Sequence, residues 1–431
     1  MTSKPLHRLS SLHSATAAES AATGVCTRAA RRSPGARPAF PLLPALAAAL
    51  TLALAGCAAT GSAMRGTGDL GVIIERASGS VQIVENSQDT SLARVKGLGD
   101  LSHASVVFSR DTRYAYIFGR DGGLSKVDML THKLVKRVIQ AGNSIGGAVS
   151  TDGRILAAQN YEPGGVKLFD ADTLELLADI PAVGPDGKHS KVVGLADLPG
   201  QRFAYSLFEA GEIWMIDASN PRKPKITKFP NVGKQPYDGL GSSNGRYYIA
   251  GLYGEDGLAM LDTWARDPQV RRILPDYGKG REKQPVYKMP HLRGWAISGD
   301  YAFLPAIGHK QVLVADNRSW NQVTAVPVYG QPVFVMAEPS GRKVWVNFAF
   351  PHNDTLQVID VPTMKVVQTL KPGKAILHME FSPKGDEIWV SSRDDNKVVV
   401  IDTHSYATRK VLPAESPSGI FFTWRASRMG M

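Results

Sequence analysis

Four histidines, His103, His189, His291 and His378, stand in short windows where a polar stretch gives way to an apolar strand: LSHASVVFS, KHSKVVGLADL, PHLRGWAISG and AILHMEFSP. Beyond residue 56 the chain holds eight histidines, so half of them fall in these windows. Basic residues stand in or beside these windows, in the equivalent strand start KQPYDGLGSS, and in nearby turns. They are Lys188, Lys191, Lys234, Arg293 and Lys374, with Arg120 in GRDGG and Arg393 in SRDD. Imidazole can ligate haem iron, move protons near neutral pH or, three at a time, bind zinc. Guanidinium and ammonium groups pair with carboxylates, arginine often through two bonds at once. Together these types suit a flat, polyanionic, iron-bearing macrocycle. The zinc alternative is weaker because the windows are spread along the whole chain. Any one of these histidines alone would read as a hydrogen-bonded structural residue.

The elements that position them form a repeat. A short apolar strand leads to a polar turn. A second strand follows, rich in Tyr, Val, Ile and Trp, then a Gly- or Asp-containing turn, then a third strand ending in an acid. The acids are Glu85, Asp128, Asp170, Asp217, Asp262, Asp316, Asp360 and Asp402, spaced 43, 42, 47, 45, 54, 44 and 42 residues apart. A period of about 40–45 residues with alternating strands predicts a β-propeller of four-stranded blades. Helical solenoids share such periods, but these segments lack apolar spacing of 3.6. The first repeat lacks a first strand, whereas Ser416–Trp424 (SPSGIFFTW) is a first strand without followers. Joining the two predicts an all-β, eight-bladed propeller closed by pairing of N- and C-terminal strands, with no open sheet edge. The long unit from Asp262 to Asp316 contains Arg266–Lys288, read as an irregular insertion on one face. In such a ring the innermost strand of each blade lines the channel, so the histidine windows fall at one channel mouth. Tyr161 and Tyr253, in turns after second strands, could pack on a ligand there. Trp214, Trp345 and Trp389 read as packing between blades.

Composition narrows the chemistry. The chain is 43% hydrophobic and 21% charged over 431 residues, which excludes wholesale disorder and a multi-span membrane protein. No cysteine follows Cys57, so the folded body holds no disulfide, iron–sulfur cluster, zinc–thiolate site or cysteine nucleophile. The net charge is +11, of which residues 1–56 carry +5. The remaining excess suits anionic ligands and gives no reason to invoke nucleic acid. Gly66-Thr67-Gly68-Asp69-Leu70-Gly71 fits a dinucleotide fingerprint, but no strand precedes it and no helix follows. NAD binding is therefore disfavoured.

The leader supplies an address. Arg28, Arg31, Arg32 and Arg37 precede the apolar run Pro41–Gly56, which ends Leu54-Ala55-Gly56-Cys57. This reads as a secretory signal, and its end resembles a bacterial lipobox. It predicts residues 1–56 as signal peptide, lipidation at Cys57, residues 57–67 as tether and 68–431 as the propeller. Ala58 after the cysteine favours the outer membrane over the inner, in the periplasm.

His103–Asp128, HASVVFSRDTRYAYIFGRDGGLSKVD, resembles the haem d1-binding propeller of cytochrome cd1 nitrite reductase. GDLGVIIERASGSVQIVE, LGDLSHASVVFS and ILHMEFSPKGDEIWVS resemble the related NirF-type family of haem d1 biosynthesis proteins, over Gly68–Trp424. The resemblance implies that His103 is an axial ligand to haem iron or an essential acid/base, and that Arg120 pairs with a ring carboxylate. Lys191, Arg293 and Arg393 are further carboxylate candidates, and His291 or His378 would face the open side. The His103-to-Arg120 spacing is one residue longer than in the reductase, so identical ligation geometry does not follow. No CxxCH occurs, so there is no c-type haem domain and no complete nitrite reductase. The implied ligand is haem d1 or a precursor. The implied role is a late biosynthetic step such as side-chain modification or oxidation, or alternatively non-catalytic holding and delivery. The implied partners are nitrite reductase, other haem d1 assembly proteins and, through the lipid, a membrane.

Overall fold

The computed structural model describes residues 66–277 and 295–429. Cys57, the leader, His291 and Arg293 lie outside the described residues. Eight four-stranded antiparallel sheets form the described body. Their inner strands are Pro417–Phe422 in blade 1, Ser105–Phe108 in blade 2, Asn143–Val149 in blade 3 and Val192–Leu198 in blade 4. They continue with Pro236–Gly241 in blade 5, Ala296–Ser298 in blade 6, Pro332–Ala337 in blade 7 and Ile376–Phe381 in blade 8. The four histidine windows and Ser416–Trp424 each hold one of these inner strands, as the repeats lead one to expect.

Ring closure is as the repeats require. Leu70–Glu75 pairs with Pro417–Phe422, setting Gly71 opposite Phe422 and Ile73 opposite Ile420. A side chain at residue 71 would lie 2.4 Å from Phe422 Cδ1, so this crossing needs glycine. Glu75 ties the blade internally. Its carboxylate accepts from Ser80, Gln82, Arg94 and the backbone N–H of Glu415.

The core lies between blades. Second and third strands are buried on both faces, so they read as continuous apolar runs such as VWVNF and VVVID rather than alternating ones. Outer strands such as Lys365–Leu370 alternate between exposed and half-buried residues because only one edge packs. Trp345 stacks edge-on against Phe381 of the next blade at 6.3 Å, and Trp389 meets Phe422 of the closing strand at 5.3 Å. Trp214 is also buried, with Tyr205 at 6.1 Å.

The repeated acids cap turns. Asp128 accepts from the N–H of Leu130 and Thr131, Asp316 from Arg318 and Ser319, and Asp402 from His404 and Ser405. Each bends the chain into the fourth strand. The backbone N–H of Ser405, then Arg409, holds the Asp402 carboxyl well below the usual range.

One expectation is corrected. Arg266–Lys288 is not wholly an insertion, because Val270–Ile273 is the outer strand of blade 5. Its two central arginines face solvent, so the short strand carries little apolar signal.

Candidate functional site

Every inner strand runs from one mouth of the channel to the other. At the end where they begin lies a cavity of about 470 Å³. Its wall brings together His103, His378, Arg76, Arg120, Gln159, Tyr237 and Asp238, from different blades. Pockets for small ligands typically span about 300–1,000 Å³.

His103 and Arg120 are 17 residues apart but belong to one local knot. The turn Gly119–Gly122 closes by the Gly122 N–H donating to Gly119 O. Arg120 N–H donates to Asp100 O at 2.8 Å, and the Asp100 carboxylate accepts from Ser102 N–H at 2.8 Å. Asp121 accepts the N–H of Asp100 and pairs with Arg137 at 2.5 Å. The segment leading into His103 is thus pinned to the arginine turn. Hydrogen bonds from Ser102 lower the Asp100 pKa, helped by the charges of Arg120 and Arg76.

His378 is buried between aromatic rings, Phe334 at 5.5 Å and Phe421 at 5.3 Å. Its Nδ1 accepts a hydrogen bond from Ile420 N–H at 3.2 Å. In the neutral ring the proton therefore sits on Nε2. A histidine that ligates metal through Nε2 ordinarily donates from Nδ1. The bond made here is the reverse, so it suits His378 to donating a hydrogen bond rather than ligating iron.

Arg76 was not among the residues expected from sequence. It occupies the turn after the second strand of blade 1, equivalent to the turns of Arg120 in blade 2 and Arg393 in blade 8. Aligning the split first repeat on the others would have found it. Its N–H donates to Ser416 O at 3.3 Å, which fixes the turn at the closing strand. Burial lowers the Arg76 pKa, and the like charges of Arg393 and Arg120 lower it further. Three adjacent blades thus present a basic arc. Next round the ring, blades 3, 4 and 5 carry Glu162, Glu209 and Glu255 at or beside the equivalent turn.

Other expected residues fall elsewhere. Lys191 pairs with Glu209 at 2.6 Å and is not on the cavity wall. Arg393 pairs with Asp394 at 2.6 Å and, with Lys374, lines a neighbouring pocket of about 410 Å³. Leu377 borders both pockets. His189 is exposed and also absent from the wall. Among the described residues no group of three His, Cys, Asp or Glu converges on a metal position. Tyr161 lies behind the wall, its hydroxyl 2.9 Å from that of Tyr237. Burial pushes the Tyr161 phenol up to about 12 and Tyr237 well above its usual value, so both stay protonated. Phe208 packs against both Tyr253 and Tyr237, with ring centroids at 5.7 and 5.9 Å.

Five glycines share the rest of the wall with residues such as Ile145, Leu195, Phe334 and Phe421. A Cβ on Gly194, where φ is +65°, would lie 2.2 Å from Gly239 N, so the inner strands of blades 4 and 5 meet backbone to backbone.

Residues 65–426 match the Cytochrome D1 heme domain family. The chain is 59% identical over 397 residues to Protein NirF of Pseudomonas aeruginosa, covering 92% of this chain and 99% of that one. The chain belongs to the NirF family. Protein NirF of Stutzerimonas stutzeri is 56% identical over 85% of this chain and 95% of its own. Among solved structures, dihydro-heme d1 dehydrogenase NirN in complex with DHE superposes with a TM-score of 0.74 at 26% identity. The match covers 87% of this chain and 79% of that one. The family match over residues 65–426 includes the split first blade as well as the His103 and Arg120 turns.

Proposed function

We propose that the chain holds haem d1 or a late tetrapyrrole precursor, as substrate or cargo, in the mouth cavity and serves a late step of haem d1 biosynthesis. Membership of the Cytochrome D1 heme domain family supports the ligand class. The observation that carries the reading is the convergence of His103, His378, Arg76 and Arg120 on one cavity. His103 meets the iron. Arg76 and Arg120 hold ring carboxylates. His378 donates a hydrogen bond from Nε2, and Tyr237 adds a second donor that stays protonated. The step is modification or oxidation of a peripheral side chain, the direction suggested by the relative named as a dihydro-heme d1 dehydrogenase.

Holding and delivery to nitrite reductase is the second reading. It is favoured by the five glycines of the wall, Gly146, Gly147, Gly194, Gly239 and Gly419, which present bare backbone beside the charged groups. In both readings Cys57 carries a lipid, the protein works at the periplasmic face of the outer membrane, and other haem d1 assembly proteins are its partners.

An absorption titration with haem d1 and its precursors, wild type against His103→Ala, tests the site. A saturable shift altered in the variant is expected, and no shift with any tetrapyrrole overturns it. A precursor that changes chromophore with time selects the enzyme over the carrier.

A further inference from the structure

A second, smaller cavity lies where Arg110, Asp197, Arg425 and Arg428 meet. After the inner strand of blade 1 the chain makes a short turn, Thr423–Ser427. Arg425, within this turn, is 93% buried and binds the fully buried Glu380 through Nε at 2.8 Å and through Nη2. Arg110 enters from blade 2. It donates to Ser150 O, Val149 O, Ala426 O and the Asp197 carboxylate, at 2.6 to 3.0 Å. Its donors are fully used.

Two guanidiniums are not. Nη1 of Arg425 points away from Glu380 and has no acceptor among the described residues. Arg428 lies over the Trp424 ring at 4.5 Å, and its side chain makes no hydrogen bond or ion pair among the described residues. Arg425 and Arg428 border one small cavity of about 20 Å³, with Arg110, Asp197 and Ala426. A site of about 10–15 Å³ on this measure holds one water-sized particle. Among the described residues three guanidiniums face two carboxylates here, leaving one positive charge over. Burial and the charge of Arg425 both lower the Arg428 pKa, which shows the two cations bearing on each other.

We propose that this small cavity binds one small monovalent anion of the halide class, bridging Arg425 Nη1 and Arg428. The ion balances the surplus charge and supplies the missing acceptor. It also fastens the terminal turn Thr423–Ser427 against blades 2 and 4, which Arg110 already joins through Ala426 O and Asp197. The site is separate from the tetrapyrrole reading and stands or falls without it.

The test uses crystals of the protein grown in bromide, and thermal unfolding of the full chain in chloride against gluconate at constant ionic strength. An anomalous peak at the bromide edge between Arg425 and Arg428 is expected. A saturable rise of Tm with chloride is expected alongside it. The Arg428 side chain makes no hydrogen bond or ion pair among the described residues, so Arg428→Gln should fold, lose the peak, and need about tenfold more chloride for the same rise. No peak in wild type overturns the proposal. So does a Tm rise that is unsaturable and identical in Arg428→Gln, because that is a general salt effect.

Discussion

Nδ1 of His378 accepts a hydrogen bond from the backbone N–H of Ile420 at 3.2 Å, joining blade 8 to blade 1 at the wall of the ligand cavity. A bond from a neighbouring backbone thereby decides which nitrogen of a candidate site residue carries the proton.

The ring-nitrogen NMR shifts of His378 in labelled protein should show the proton on Nε2. A proton on Nδ1 would contradict the donor role. Against the same background, His378→Ala should weaken tetrapyrrole binding while leaving the iron-ligand bands in place, whereas His103→Ala should change those bands.

Arg76→Gln and Arg120→Gln should each lower affinity for a carboxylate-bearing tetrapyrrole by about tenfold or more, since a charge-assisted hydrogen bond is worth about 1.5–3 kcal/mol. Arg393→Gln should lose less, because Asp394 already engages it. Titration with the esterified ligand is the control. If the Arg76 variant loses as much affinity for the ester as for the acid, the arginine does not read carboxylates.

Glu75 gathers Arg94, Gln82, Ser80 and the Glu415 N–H inside the closing blade. Burial pushes its pKa up, but Arg94 and the other donors outweigh that, and the net shift is downward. Removing one partner of a buried pair costs about 3–5 kcal/mol. Arg94 is 35% exposed, which places Glu75→Ala at the low end, about 3 kcal/mol. Urea unfolding measures it, and a loss below about 1 kcal/mol would mean the knot does not hold the ring shut.

Asp89, in the turn before the outer strand of blade 1, has its carboxyl raised from 3.8 to about 7 by burial and the nearby Glu387 of blade 8. The folded state therefore binds a proton more tightly than the unfolded chain. The resulting stability is fully present below pH 3.8 and is lost as pH rises toward about 7. Asp89→Asn should flatten that slope and be more stable than wild type above neutrality. Thermal melts from pH 4 to 8 decide it, and parallel curves for the two proteins would exclude a role for Asp89.

Much of this was legible because a propeller is written one blade at a time. The terminal acids recur since each blade needs the same cap into its outer strand, as Asp128 and Asp402 show. The split first blade was legible because Ser416–Trp424 lacks followers and Leu70–Glu75 lacks a leader. Val270–Ile273 was missed because an outer strand packs on one edge and carries little apolar pattern. Arg76 was missed although its turn matches those of Arg120 and Arg393, because closure hides its place in the repeat.

The sequence by itself determined the number of blades, the closure and the ends of the inner strands. These follow from local alternation and turn chemistry repeated at a fixed period. It also determined which residue types stand at one mouth. Only the tertiary structure decided which of them meet. Arg76, His103, Arg120 and His378 share a cavity, while Lys191 turns to Glu209 and Arg393 to Asp394. It also decided the His378 tautomer and the guanidinium surplus at the small cavity. Those depend on partners contributed by other blades, at separations such as the 45 residues from Glu380 to Arg425, and no local pattern encodes them.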